Sequence, residues 1–221
     1  AVRKSLIFVL LSVALWYVGY NGITTWFTVF AEKSWGMALG DASMCLTIAM
    51  AGAIVSYIPI GFLSSRIGRK KTILAGIVML FTAFFGGCFM TASSPSWLMT
   101  AMFILAGMAW ATINVNSFPM VVEMCSGADV GKYTGYYYTA SMAAQSLTPT
   151  ISGMFMDHIA MTTLFPYASV FVGLAFFTML NIELSAGQVY DDNPKDAVEQ
   201  VVETTEDDRV DMEEFMSRKG V

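Results

Sequence analysis

Charged side chains leave five long gaps along this chain. Asp, Glu, Lys and Arg are absent from Ser5 to Ala31, Ala42 to Ser65, Thr72 to Val122, Tyr133 to Met156 and His158 to Ile182. A helix needs about 20 largely apolar residues to cross a hydrocarbon core, and every gap reaches that length. The third gap holds 51 residues, too many for one crossing, and Ser93-Ser94-Pro95-Ser96 marks a turn near its middle. The pattern therefore predicts an all-α membrane protein, a bundle of six transmembrane helices over residues 5–31, 42–64, 72–92, 96–122, 133–156 and 161–182.

Polar residues inside such runs fall on particular faces. In the first helix Tyr17, Tyr20, Asn21, Thr24 and Thr28 recur at helical spacing. The fourth carries Gly107, Trp110, Asn114 and Ser117 on one face, and the fifth carries Thr134, Tyr138, Ser141, Gln145, Thr148 and Ser152 at steps of three and four. The second helix is milder, with Ser43, Thr47 and Tyr57. In lipid a polar side chain needs a partner, so such stripes mark either a cavity lining or a helix seam. Ala49, Gly52, Ala53 and Ser56 read as a seam. The amides of Asn21, Asn114 and Gln145, set beside Tyr and Trp rings, suit a small polyhydroxylated ligand. The third and sixth helices have few strong polar groups and are expected to sit outside the other four.

Composition supports the membrane reading, since only 13% of residues are charged against about 25% in soluble domains. Charge also orients the chain. Six crossings put Arg3, Lys4, Arg66, Arg69, Lys70, Lys71 and Lys132 on one side and only Lys33 on the other. Basic loops stay in the cytoplasm, so both termini are expected there, in a multi-pass cell-membrane protein. Residues 183–221 hold twelve acids against four Lys or Arg. They read as a solvated, largely disordered acidic tail, unsuited to nucleic acid. The first run is too long for a secretory signal and lacks a small-residue cleavage site.

Several chemistries lack their residues. Cys45, Cys88 and Cys125 have no CxxC spacing, and His158 is the only histidine, so no metal, cofactor or enzymatic centre is expected. No helix has Lys or Arg at every third position, and no TVGYG-like filter is present, which argues against familiar six-crossing channels.

The loop between the second and third helices reads Gly61-Phe-Leu-Ser-Ser65-Arg66-Ile-Gly68-Arg69-Lys70-Lys71. It resembles the G-x-x-x-D-R-x-G-R-K/R loop of the major facilitator superfamily, with Ser65 in place of the Asp. The resemblance implies a cytoplasmic gate brace built from Gly61, Ser65, Arg66, Gly68, Arg69 and Lys70, with Glu123 as a partner for Arg66 or Arg69. A second likeness lies in NVNSFPMVVEM, GKYTGYYYTASMAAQSLTPTISG and LFPYASVFVGLA. These segments look like the second half of the disaccharide:proton (sucrose-type) symporters of that superfamily.

What the likeness implies is the C-terminal half of a twelve-helix carrier, working in the bilayer with a missing N-terminal six-helix half. The implied substrate is a sugar or other small polar solute, and the implied coupling ion is a proton. Substrate contacts would come from Tyr17, Tyr20, Asn21, Thr24, Trp110, Asn114, Tyr138, Ser141 and Gln145. Glu32, Asp41, Glu123, Asp129 and Asp157 all fall at helix ends, so a coupling acid is expected in the other half. The alternative is a self-assembling six-helix protein, a half-size carrier or a channel.

Overall fold

In the computed structural model residues 2–125 and 129–182 are described, and their long elements are all α-helices. These are α1 (Val2–Trp35), α2 (Leu39–Ile67), α3 (Arg69–Gly87), α4 (Ser96–Val122), α5 (Val130–His158) and α6 (Leu164–Leu180). A 3-10 turn, Met161–Thr163, leads into α6. The acidic segment 183–221, expected to be a disordered tail, lies outside the described residues.

Two helix ends differ from the expected ones by more than three residues, for local reasons. α1 continues past residue 31 because Trp35 packs against Phe27, Phe30 and Phe165. Gly36, at φ 65°, then turns the chain, and the N–H groups of Gly36 and Met37 bond to the carbonyls of Glu32 and Ala31 at 3.1 Å. α3 stops at Gly87, short of 92. Gly87 lies so close to the Phe165 ring that a Cβ there would sit 2.4 Å from ring carbons.

A single residue separates α2 from α3. Gly68 sits at φ 89°, a conformation that side chains disfavour. Its N–H bonds back to the Ser64 carbonyl at 2.9 Å, and its own carbonyl accepts from the Thr72 hydroxyl at 2.9 Å. The chain therefore reverses with both backbone groups of Gly68 bonded.

α1, α3 and α5 start at the end of the bundle that carries this basic turn, and α2, α4 and α6 finish there. The main seams are α2 on α4, α3 on α4, α1 on α6, α1 on α5 and α3 on α6. Replacing each helix by the one three places along turns α1·α5 into α4·α2 and α1·α6 into α4·α3, and it leaves α3·α6 in place. The six helices are thus two similar triplets.

Lipid offers no hydrophobic drive for helices to associate, so close approach and interhelical bonds hold the seams. On the α2–α4 seam a Cβ at Gly107 would fall 1.8 Å from the Ala49 carbonyl oxygen, and one at Gly52 would fall 3.2 Å from that of Ile104. Farther along the seam the Ser64 hydroxyl donates to the Asn116 amide oxygen, and Asn116 is fully buried. On the α1–α5 seam Trp26 Nε1 donates to the Pro149 carbonyl at 3.0 Å.

Among the described residues five helices are long and apolar enough to cross a membrane by themselves, α6 together with the 3-10 turn before it. α5 is the exception because Ser, Thr, Tyr and Gln dilute its apolar residues. Part of that polarity is satisfied internally: the hydroxyls of Thr148 and Ser152 donate to the carbonyls of Ala144 and Thr148 at 2.5 and 2.6 Å. α2, by contrast, exposes Val55, Ile58 and Phe62, a surface suited to lipid or another apolar chain.

Candidate solute-binding site

A cavity of about 500 Å³ opens between α1, α2, α3 and α4, with Phe165 of α6 completing one side. Its floor, toward the basic turn, is an aromatic pair. Tyr20 of α1 and Trp110 of α4 stack with ring centroids 3.7 Å apart and planes 4° from parallel. Tyr17 meets Trp110 edge-on at 5.1 Å. α1 and α4 hold corresponding places in the two triplets, so the stack ties one triplet to the other.

A polar layer lies on the basic-turn side of the floor. The Tyr17 hydroxyl donates to Asn114 Oδ1 at 3.1 Å, and Asn114 Nδ2 donates to the Trp110 carbonyl at 3.0 Å. Ser117 of α4 and Tyr137 of α5 share a hydrogen bond of 2.8 Å between their hydroxyls. Three helices are thereby joined through side chains at one level.

The structure separates the residues singled out in the sequence. Tyr20, Thr24 and Trp110 line the cavity. Tyr17 and Asn114 lie in the polar layer. Asn21 donates to the Tyr17 carbonyl at 2.8 Å, a bond within its own helix. Ser141 is buried and donates to the Tyr138 carbonyl at 3.2 Å, while Tyr138 and Gln145 are exposed. α5 lends no side chain to the cavity wall, in contrast to the expectation that it would line a site with α1, α2 and α4. α3 and α6, expected outside, contribute Phe84 and Phe165 to it, and Met90 joins them from the segment just beyond α3. An apolar residue suits a cavity wall as well as lipid, so its type carried no signal. Phe103 and Met102 of α4 escaped notice for the same reason.

The basic turn fastens two helix ends. Arg69 Nε pairs with Glu123 Oε1, at the end of α4, at 2.5 Å. Lys70 Nζ donates to the carbonyls of Leu180 and Ile182 at 3.2 and 2.5 Å, where the free C-terminal carbonyls of α6 attract a cation. Of the two arginines proposed to meet Glu123, Arg69 makes the contact. Arg66 is exposed and forms no ion pair among the described residues. Ser65, in the acid's place, turns its hydroxyl back to the Phe62 carbonyl at 2.7 Å. Gly61, counted in the implied gate brace, faces open space, since a Cβ there would meet nothing within 4 Å. Arg69 and Glu123 are 35% and 42% exposed, so water screens their attraction. A double-mutant cycle of Arg69→Ala and Glu123→Ala, read by thermal unfolding, is expected to give a coupling of about 0.2–1 kcal/mol. A coupling of zero would mean that the contact holds nothing.

The sequence profile of the Major Facilitator Superfamily matches residues 7–207. The chain belongs to that superfamily. Two relatives are both named solute carrier family 22 member 6. The Danio rerio protein is 37% identical over 100 residues, which cover 43% of this chain and 17% of that protein. The Oryctolagus cuniculus protein is 32% identical over 97 residues, 42% of this chain and 17% of its own length. The match thus spans about a sixth of each curated relative's length. Membership agrees with the long apolar helices in making this a multi-pass membrane protein. The two triplets described above fit the three-plus-three repeat nested in each six-helix half of a major facilitator fold.

Proposed function

We propose that the chain forms one six-helix half of a secondary transporter and that the cavity beside Tyr20 and Trp110 is its share of the solute site. The observation that carries this reading is the stacked pair itself. It joins corresponding helices of the two triplets and floors the cavity with rings whose neighbours are fixed by hydrogen bonds. Carriers of this kind bind solute near the midplane between two halves and rock about it, so each half needs such a concave face. The relatives' name, solute carrier, agrees with this.

The finer form of the reading is a sugar carried with a proton by the C-terminal half, with the basic turn and both termini in the cytoplasm. Its support is the likeness to disaccharide symporters and the count of basic residues. Proton coupling would then draw on a carboxylate from the other half. Glu32, Asp41, Glu123, Asp129 and Asp157 stand at the ends of the helices here, whereas a proton seat needs a buried acid that changes charge.

Proteoliposomes carrying the complete two-half transporter test this directly. A panel of labelled sugars and other small solutes is offered with and without an inward proton gradient. Gradient-driven accumulation of a sugar is the expected result. Uptake that only equilibrates would remove the coupling, and the absence of uptake of every solute would overturn the carrier reading.

A further inference from the structure

The cavity wall carries more information than its position. Among the described residues none in its wall is charged, and the polar side-chain atoms are confined to Tyr20, Thr24, Tyr57 and Trp110. One of these is already engaged, since the Thr24 hydroxyl donates to the Asn21 carbonyl at 3.3 Å. Of the three amides that the sequence offers as sugar partners, Asn114 is engaged with Tyr17 and Trp110 and Asn21 with its own helix, while Gln145 lies on α5, away from the cavity wall. A bare disaccharide presents hydroxyls over its whole surface. Each one buried here without a partner costs free energy, and an ion would cost far more.

The rest of the wall is suited to rings. Phe84, Phe103 and Phe165 supply aromatic surface beside the Tyr20–Trp110 stack. Met50, Met90 and Met102 add thioethers, which make favourable contacts with ring edges and adapt their shape to what they meet. Ala49, Ala53, Ala83 and Ala106 keep the space between them flat and open. A dry cavity of about 150 Å³ holds one benzene ring, so about 500 Å³ accepts two or three fused rings.

We infer that this half of the site selects an uncharged solute with a flat fused-ring body, in preference to a bare polyol, an ion or a lipid acyl chain. The inference rests on the reading of the cavity as the solute site. It narrows the substrate class of that reading: a sugar substrate would be one that carries such a ring, as an aryl glycoside does.

Saturation-transfer NMR on the purified chain in lipid nanodiscs provides the test. The probes are 2-naphthamide, its anionic counterpart 2-naphthoate, the cation 2-naphthylmethylammonium, the linear amide decanamide, and sucrose. The neutral ring amide is expected to bind at least about tenfold more tightly than each of the other four. Trp110→Ala is expected to weaken it about tenfold and Trp110→Phe to restore most of the loss. Phe84→Ala, on a different helix, should weaken it separately, so the outcome does not hang on the folding of one variant. Equal or tighter binding of either ion, of sucrose or of decanamide overturns the inference. Sucrose binding that depends on Trp110, without amide binding, removes the ring preference and leaves the solute cavity standing. If Trp110 affects the binding of none of the probes, both readings fall.

Discussion

Replacing Gly107 with leucine is expected to destroy the folded bundle. A side chain at this position meets backbone rather than a movable neighbour, since even a Cβ would lie 1.8 Å from the Ala49 carbonyl oxygen and 2.7 Å from its carbonyl carbon. α2 and α4 would have to separate along their length, opening the contacts of Gly52 with Ile104 and the bond between Ser64 and Asn116. Overpacking of an ordinary core costs about 1–3 kcal/mol. This clash has no side chain to yield, so a loss of at least about 3 kcal/mol is expected. Fluorescence-detected size-exclusion chromatography should show loss of the single sharp peak. Gly61→Leu serves as the control, because nothing lies within 4 Å of a Cβ there and the peak should survive. A Gly107→Leu protein that elutes and melts like the wild type would falsify the close seam between α2 and α4.

That seam also shows what the sequence could and could not reveal. The helices were legible because lipid tolerates so few charges: each uncharged run has to be a crossing or a pair of crossings, and Pro95 supplies the break inside the longest run. The small residues Ala49, Gly52, Ala53 and Ser56 pointed to a seam by their spacing. Their partner on α4 did not follow, because helix spacing says which residues share a face and not which helix that face meets. Glu123 could be singled out as an acid ending an apolar run near a basic turn. Whether Arg66 or Arg69 met it depended on the rotation of α3 after Gly68. Asn116 carries no such signal although it is fully buried. It lies two residues from Asn114, hence on a different face, and it serves the α2 seam instead of the cavity side.

The polar stripe of α5 shows the opposite limit. Ser and Thr within a helix can return their hydroxyls to the carbonyl one turn back, as Thr148 and Ser152 do. Such residues look like a cavity lining in sequence while asking for no partner outside their own helix. α3 and α6 reach the cavity wall through the converse effect. An apolar wall and a lipid-facing surface draw on the same residue types, so Phe84, Met90 and Phe165 carried no mark of facing inward.

Asn114→Ala is expected to reduce solute uptake by the complete transporter at least about fivefold while leaving insertion and folding intact. Asn114 does not line the cavity, so the effect must pass through its neighbours. Its amide oxygen receives the Tyr17 hydroxyl at 3.1 Å, and the Tyr17 ring stands edge-on to Trp110 at 5.1 Å. Truncation leaves that hydroxyl without its partner in an apolar setting, a penalty of about 1–3 kcal/mol, and about 1.4 kcal/mol corresponds to a tenfold change. Tyr17 relieves the penalty by turning away, and Trp110 then loses the ring that braces it against Tyr20. Tyr17→Phe removes the same hydrogen bond but keeps the ring, so it should cost less than Asn114→Ala. Combining the two should cost no more than Asn114→Ala alone, because both act on one contact. Uptake measured in proteoliposomes, beside a thermal-unfolding control, separates the outcomes. Wild-type uptake by Asn114→Ala would disconnect the polar layer from the aromatic floor. Additive losses in the double variant would show that Asn114 and Tyr17 act on the solute separately.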